Sequence, residues 1–255
     1  MTWHPERYLA FGDQRTRPAV DLLARVTLAG AARIADLGCG PGNSTALLVA
    51  RWPEAETVGV DNSKEMLAKA RASGVRAGWI EADIATWAPD DPLDLIYSNA
   101  ALQWVADHER LLPQLLGYLR PGGALAIQMP RNFEAPSHVL LRETARSGPW
   151  AASLEGSSAT PPVAAPAWYY DLLAPRAAEL DVWETEYLHV LDGDDPVLMW
   201  TRSTALRPVM DALDERHHEV FEAAYAARLR EAYPKRADGC TLFPFRRLFI
   251  VVRRG

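Results

Sequence analysis

Through the first half of the chain, short β-branched or apolar runs that end in polar residues alternate with longer stretches at helical spacing. A strand, a helix and a second strand in that order return the chain along its own direction, so the alternation predicts an α/β fold around a parallel sheet. Val20, Leu22, Leu23 and Val26 mark a leading helix, and Arg33 to Leu37 is the first strand. From it, DLGCGPGNS turns into a helix over about Thr45 to Arg51. Further strands are expected at Thr57 to Val60, about Arg76 to Ile80, Leu93 to Ser98 and Ala124 to Met129. Ser63 is placed to cap a helix over Lys64 to Ala72, with Met66, Leu67 and Ala70 on its apolar face. The turn-rich PDDP precedes the fourth strand, and the turn Pro121-Gly122-Gly123 precedes the fifth.

Beyond Pro130 the pattern changes. A helix is expected around Ser137 to Arg146, followed by ASLEGSSATPPVAAPA, whose Gly, Ser and Pro content predicts an extended connector or lid. Asp181 to Leu191 alternates Val182, Glu184, Glu186 and Leu188 against Trp183, Thr185, Tyr187 and His189, as a strand does. A helical stretch, Pro196 to Glu231, separates it from a final strand, Phe245 to Val252, so this last pair reads as an antiparallel edge with a helical insertion between its strands. The expected organisation is one domain, with a core over about 17–130, 179–192 and 242–255 and a cap from 1–16, 131–178 and 193–241.

Charge and cysteine usage exclude several function classes. The 27 Lys plus Arg against 33 Asp plus Glu leave a net charge of -6, the wrong sign for general nucleic-acid binding. Two distant cysteines, Cys39 and Cys240, provide neither a disulfide framework nor a zinc spacing, which predicts a reduced, cytoplasmic setting. No apolar stretch approaches membrane-spanning length, and the N-terminal residues carry no apolar signal core. The six histidines show no metal-ligand spacing, so no metal is expected; His217 and His218, in a charged helix, read as solvated.

One constellation carries chemistry. Asp36-Leu37-Gly38-Cys39-Gly40-Pro41-Gly42 lies directly after a strand and before a helix, the context that makes a glycine-rich loop meaningful. Gly38 and Gly40 let the backbone turn tightly and approach a ligand, and the helix N-terminus offers free N–H groups. Asp61 ends the second strand 19 residues after Gly42, where a carboxylate can accept both ribose hydroxyls of an adenosine ligand. Asp83 ends the third, and the carboxyl ends of such strands share one crevice. Dinucleotide enzymes use GxGxxG to seat a pyrophosphate, whereas an acid directly before GCGPG repels one and suits a ligand bearing an ammonium and a sulfonium.

The loop, Asp61, Asp83, the segment DLIYSNAALQWV and LRPGGALAI together resemble the class I S-adenosylmethionine-dependent methyltransferases. That resemblance implies a Rossmann-like seven-stranded sheet, mostly parallel with an antiparallel last strand, carrying a helical cap. It implies S-adenosyl-L-methionine as cofactor and S-adenosyl-L-homocysteine as product. Gly38 and Gly40 would lie against the methionine moiety, Asp61 on the ribose, Asp83 on the adenine amino group, Asn99 beside the methionine end, and Asp36 on the amino group directly or through water. Over nearly the whole chain, WHPERYLAFGDQRTRPAVDLL, SNAALQWV, QMPRNFEAPSH, WETEYLHVLDG and LFPFRRLFIVVRR look like the trans-aconitate 2-methyltransferase family, which esterifies one carboxylate of a small tricarboxylate.

Methyl transfer from a sulfonium to a carboxylate needs no general base, so no catalytic residue is expected beyond alignment and a dry pocket. An antiparallel last strand starts at the rim where the other strands end, which brings Arg246, Arg247, Asn132 and His189 toward the crevice as substrate-binding candidates. Adjacent strand residues face opposite sides, so one of the two arginines points in, and the sequence leaves open which. Tyr8, Trp104, Trp200 and Arg207 complete the candidate set, although aromatics such as Trp168, Tyr169 and Tyr170 read first as packing residues. Another small acid as substrate, a nicotinamide-dependent oxidoreductase and a non-catalytic adenosine-ligand sensor remain as alternatives, and oligomeric state stays open.

Overall fold

In a computed structural model, residues 16–154, 163–202 and 204–255 are described. Helices are numbered α1 (Arg17–Arg25), α2 (Asn43–Arg51), α3 (Lys64–Ala72), α4 (His108–Gly117), α5 (Pro136–Ser147), α6 (Pro166–Leu173), α7 (Pro196–Arg202), α8 (Arg207–Ala212) and α9 (His218–Ala232). Strands are β1 (Arg33–Leu37), β2 (Glu56–Asp61), β3 (Gly78–Glu81), β4 (Leu93–Asn99), β5 (Leu119–Pro130), β6 (Ala177–Leu191) and β7 (Thr241–Arg254). They form one seven-stranded sheet in the order β3-β2-β1-β4-β5-β7-β6. The first five strands pair in parallel, and β7 runs antiparallel to β5. β1 therefore has β2 on one side and β4 on the other, the reversal of strand order that opens a crevice at the carboxyl ends.

Contacts divide the chain into two compact units. The first comprises the described residues of Met1–Pro130, Val163–Thr185 and Arg247–Gly255. β1 is fully buried at Ile34 to Leu37, and α1 packs an apolar face of Ala19, Val20, Leu22 and Leu23. Polar ties set the register. Buried Asp94 Oδ2 accepts from the Ala32 and Arg33 amides at 2.8 and 2.9 Å, and the Tyr97 hydroxyl donates to Ala19 O at 2.6 Å. Ser63 caps α3 through the Met66 amide at 3.3 Å, with Leu67 and Ala70 buried beneath.

The second unit comprises the described residues of Arg131–Pro162 and Glu186–Arg246. It has its own core, in which Trp150, Phe221, Tyr225, Leu229, Phe243 and Phe245 come together. Tyr225 donates to Ser137 O at 2.8 Å, and the Ser137 amide donates to the Tyr233 hydroxyl at 3.0 Å.

Several sequence expectations need correction. Residues 166–173, read as the end of a loop and its surroundings, form α6: Pro166 opens the helix and Tyr169 and Leu173, one turn apart, are fully buried. Most of the remaining loop lies outside the described residues. The Pro121-Gly122-Gly123 turn sits inside β5 as a bulge, where the pairing jumps from Leu93↔Leu119 to Leu95↔Ala124 and Gly122 takes a φ of 75°. β3 starts two residues late, while β6 and β7 each start four residues early. His217 and His218 are half-buried rather than solvated, with His218 Nε2 3.0 Å from Leu213 O and the Trp150 ring edge-on to His217. The alternation read over Asp181 to Leu191 falls within β6, and near its end Tyr187 and His189 are buried while Glu186, Leu188 and Val190 are exposed.

Candidate active site

The glycine loop is stitched to β2, with the Gly38 and Cys39 amides both donating to Val60 O at 2.8 and 3.1 Å. Gly38 has a φ of 72°, and a Cβ there would lie 2.1 Å from Ala101 Cβ. Only glycine fits. Gly40 has a φ of 53° and open space where a Cβ would sit, so its backbone is bare to a ligand. Its amide donates to Asp61 Oδ2 at 2.9 Å, while Asp61 Oδ1 accepts from the Ser63 amide at 2.8 Å. Each oxygen of Asp61 keeps a second acceptor direction, enough for a pair of ribose hydroxyls.

Asp36 has no solvent exposure. Ser44 Oγ and Thr45 Oγ1, on the first turn of α2, donate to its Oδ2 at 2.7 and 2.6 Å, and its Oδ1 is buried without a hydrogen-bond partner. Burial pushes the carboxyl up to about 6; the two hydroxyls pull it down and the Asp61 charge raises it further. Asn99, the last residue of β4, also has a buried Oδ1 without a partner. Two orphaned acceptors, a bare glycine backbone and a ribose-competent carboxylate fit a cationic adenosine ligand such as S-adenosylmethionine.

Asp83 stands two residues past the end of β3, which stops at Glu81, so it does not end the strand as expected. It is exposed, with Oδ1 accepting from the Ala85 amide at 2.9 Å in a turn. Cys39 is buried, and burial together with Asp36 and Asp61 pushes its thiol far up, which removes it as a nucleophile. Among the described residues, no group of three or more His, Cys, Asp or Glu is placed to hold a metal ion.

The sequence missed three contributors. Ser44 and Thr45 hold Asp36, and only their place on the first turn after the loop hinted at it. Trp79 covers the loop: added Cβ atoms on Gly42 and Gly59 would fall 2.9 and 2.6 Å from its ring.

The substrate candidates separate. Arg247, in the first unit, is 5% exposed, with Nη1 3.4 Å from Gln128 Oε1. Its neighbour Arg246 turns outward to Glu186 at 3.6 Å, both side chains about half exposed. In the second unit, His189 is buried, stacked on Trp200 at 4.7 Å between ring centroids and flanked by Phe243 and Phe245. Asn132 Oδ1 accepts from the Arg246 amide at 2.7 Å, leaving its buried Nδ2 without a partner. Trp104 is exposed, and Arg207 is exposed beside Asp211, one helical turn on. Tyr8 lies outside the described residues.

Residues 34–123 match the model of the methyltransferase domain, and together with the sheet order and the loop they define a class I methyltransferase. The YcgJ protein from Bacillus subtilis shares the fold with a TM-score of 0.59 at 16% identity, the match covering 93% of this chain and 98% of that one. Among curated proteins, the trans-aconitate 2-methyltransferase of Azoarcus sp. (strain BH72) is 56% identical over 99% of both chains. That of Methylobacterium radiotolerans is 51% identical over 99% of this chain and 98% of its own. The chain belongs to the trans-aconitate 2-methyltransferase family.

Proposed function

We propose that this chain converts trans-aconitate to a monomethyl ester with S-adenosylmethionine as methyl donor. The observation that carries the reading is identity above 50% over essentially the full length of curated relatives bearing that name. The cofactor's chemistry is an electrophilic methyl carbon on a cationic sulfur. In this reading Asp36 and Asn99 take the amino-acid end, Gly38 and Gly40 leave room for it, Asp61 takes the ribose and Asp83 the adenine amino group.

A carboxylate is a sufficient nucleophile at neutral pH, so the chain's work is to strip it of water and align it. Arg247 supports this, because a guanidinium held in a nearly dry setting binds a carboxylate strongly and in a defined direction. Asn132, His189, Trp200, Arg207, Trp104 and Tyr8 are assigned to the rest of the substrate, while Arg246, turned outward to Glu186, is not. A cytoplasmic setting fits the two free thiols, and among the described residues no helix is long and apolar enough to cross a membrane.

Mass spectrometry of products from purified protein, S-adenosylmethionine and trans-aconitate, with cis-aconitate and citrate in parallel, tests the reading. Preferential monomethylation of trans-aconitate is expected. Turnover of another acid in its place, or none by protein that binds S-adenosylhomocysteine, would overturn it.

A further inference from the structure

Three polar side chains follow one another along the carboxyl-end rim of the first unit's sheet: Asn99 on β4, Gln128 on β5 and Arg247 on β7. Asn99 pairs in register with Gln128, and Arg247 pairs with Pro130, two residues beyond it. Side chains two residues apart share a face, so all three project to the same side of the sheet.

Gln128 has no solvent exposure and is surrounded along its strand by buried Ala126, Ile127 and Met129. Packing alone would place an aliphatic residue there. Its Oε1 lies 3.4 Å from Arg247 Nη1. A guanidinium only donates, so the amide oxygen must face it, and this fixes the amide nitrogen on the other side. That Nε2 is buried without a hydrogen-bond partner, and so is Asn99 Oδ1 on the neighbouring strand. A donor and an acceptor on paired residues thus both stay open, at a cost that native interiors rarely sustain unless a ligand completes them. The open acceptor suits the cofactor's ammonium. The open donor, next to a buried guanidinium, suits an anion.

The geometry points to Gln128 as the side chain that seats a carboxylate of the substrate, donating through Nε2 beside Arg247 and holding that carboxylate against the Asn99 side of the rim. This rests on the carboxylate-methylating reading above and adds to it the residue that places the anion. A dianionic or trianionic acid is the class of ligand that such a seat selects.

The test compares full-length wild type with Gln128→Glu and Gln128→Met. Glutamate keeps the shape and the contact with Arg247 but cannot donate and adds negative charge; methionine keeps the volume and removes the donor. The KM for trans-aconitate is expected to rise on the order of 100-fold in Q128E and about 10-fold in Q128M. Binding of S-adenosylhomocysteine, measured calorimetrically, should stay within about 3-fold of wild type in both. An unchanged KM in both variants overturns the assignment, as does a parallel loss of S-adenosylhomocysteine affinity and melting temperature, which marks a structural role. Calorimetric titration of trans-aconitate into S-adenosylhomocysteine-loaded protein separates the two readings. Wild type that binds the acid without esterifying it sinks the proposed reaction while the Gln128 comparison is still read from binding, and wild type that binds no trans-aconitate overturns both.

Discussion

Asp36 makes the apo protein less stable than it need be, and replacing it with asparagine exposes that cost. Its carboxyl is raised from 3.8 to about 6, chiefly by complete burial. A carboxyl whose folded pKa exceeds its unfolded one opposes folding in its ionised form: the penalty is absent below the unfolded value and grows as pH rises from 3.8 through about 6. At pH 7.5 the difference corresponds to about 3 kcal/mol, and at pH 5 to about half of that. The introduced carboxamide would still accept from Ser44 and Thr45, but it would bury an amide nitrogen where Oδ1 now lies, returning about 1–2 kcal/mol of the gain. Asp36→Asn should therefore raise the ligand-free urea stability by about 1–2 kcal/mol at pH 7.5, with the advantage shrinking toward zero or reversing by pH 5. With Asp36 in its proposed place on the cofactor's ammonium, S-adenosylhomocysteine affinity should fall at the same time by about 10-fold or more, because the charge-assisted hydrogen bond would be lost. A variant less stable than wild type at pH 7.5, or a stability difference that does not change with pH, would refute the reasoning.

Other perturbations read the remaining parts of the site. Gly38→Ala combines a left-handed φ with a collision against Ala101, and urea denaturation should show a loss of about 3 kcal/mol; a neutral change would mean the loop is not held as described. Asp61→Ala removes the proposed ribose acceptor together with the braces on the Gly40 and Ser63 amides, and calorimetry should show S-adenosylhomocysteine bound about 2 kcal/mol more weakly. Arg247→Met should raise the KM for trans-aconitate by more than about 10-fold, whereas Arg246→Met, which loses only an exposed ion pair with Glu186, should change it by less than about 3-fold. Equal effects of the two arginine variants would contradict the division of labour.

The core strands were legible because each carries its own signal. β1 was found to the residue, α3 was bounded by the Ser63 cap, and the antiparallel β7 followed from its position after the helical insertion. Errors gathered where local and tertiary preferences conflict. Pro and Gly around 161–166 and 121–123 read as breaks, yet Pro166 starts a helix whose Tyr169 is buried against His108, and Gly122 relaxes a bulge inside β5.

By itself, the sequence determined the α/β class, the glycine loop between β1 and α2 and the place of Asp61 at the end of β2, since these depend on period, backbone freedom and chain order. Side-chain direction was out of its reach. Two adjacent arginines look alike in a string of letters; only the pairing of β7 with β5 turned Arg247 inward to Gln128 and Arg246 outward to Glu186. The same holds for Asp36, whose raised carboxyl pKa comes from the neighbours that bury it, and for Gln128, an ordinary glutamine until the sheet closes around it and leaves its amide nitrogen without a partner. Burial and hydrogen-bond completion are properties of three-dimensional neighbours, and only the folded chain supplies those neighbours.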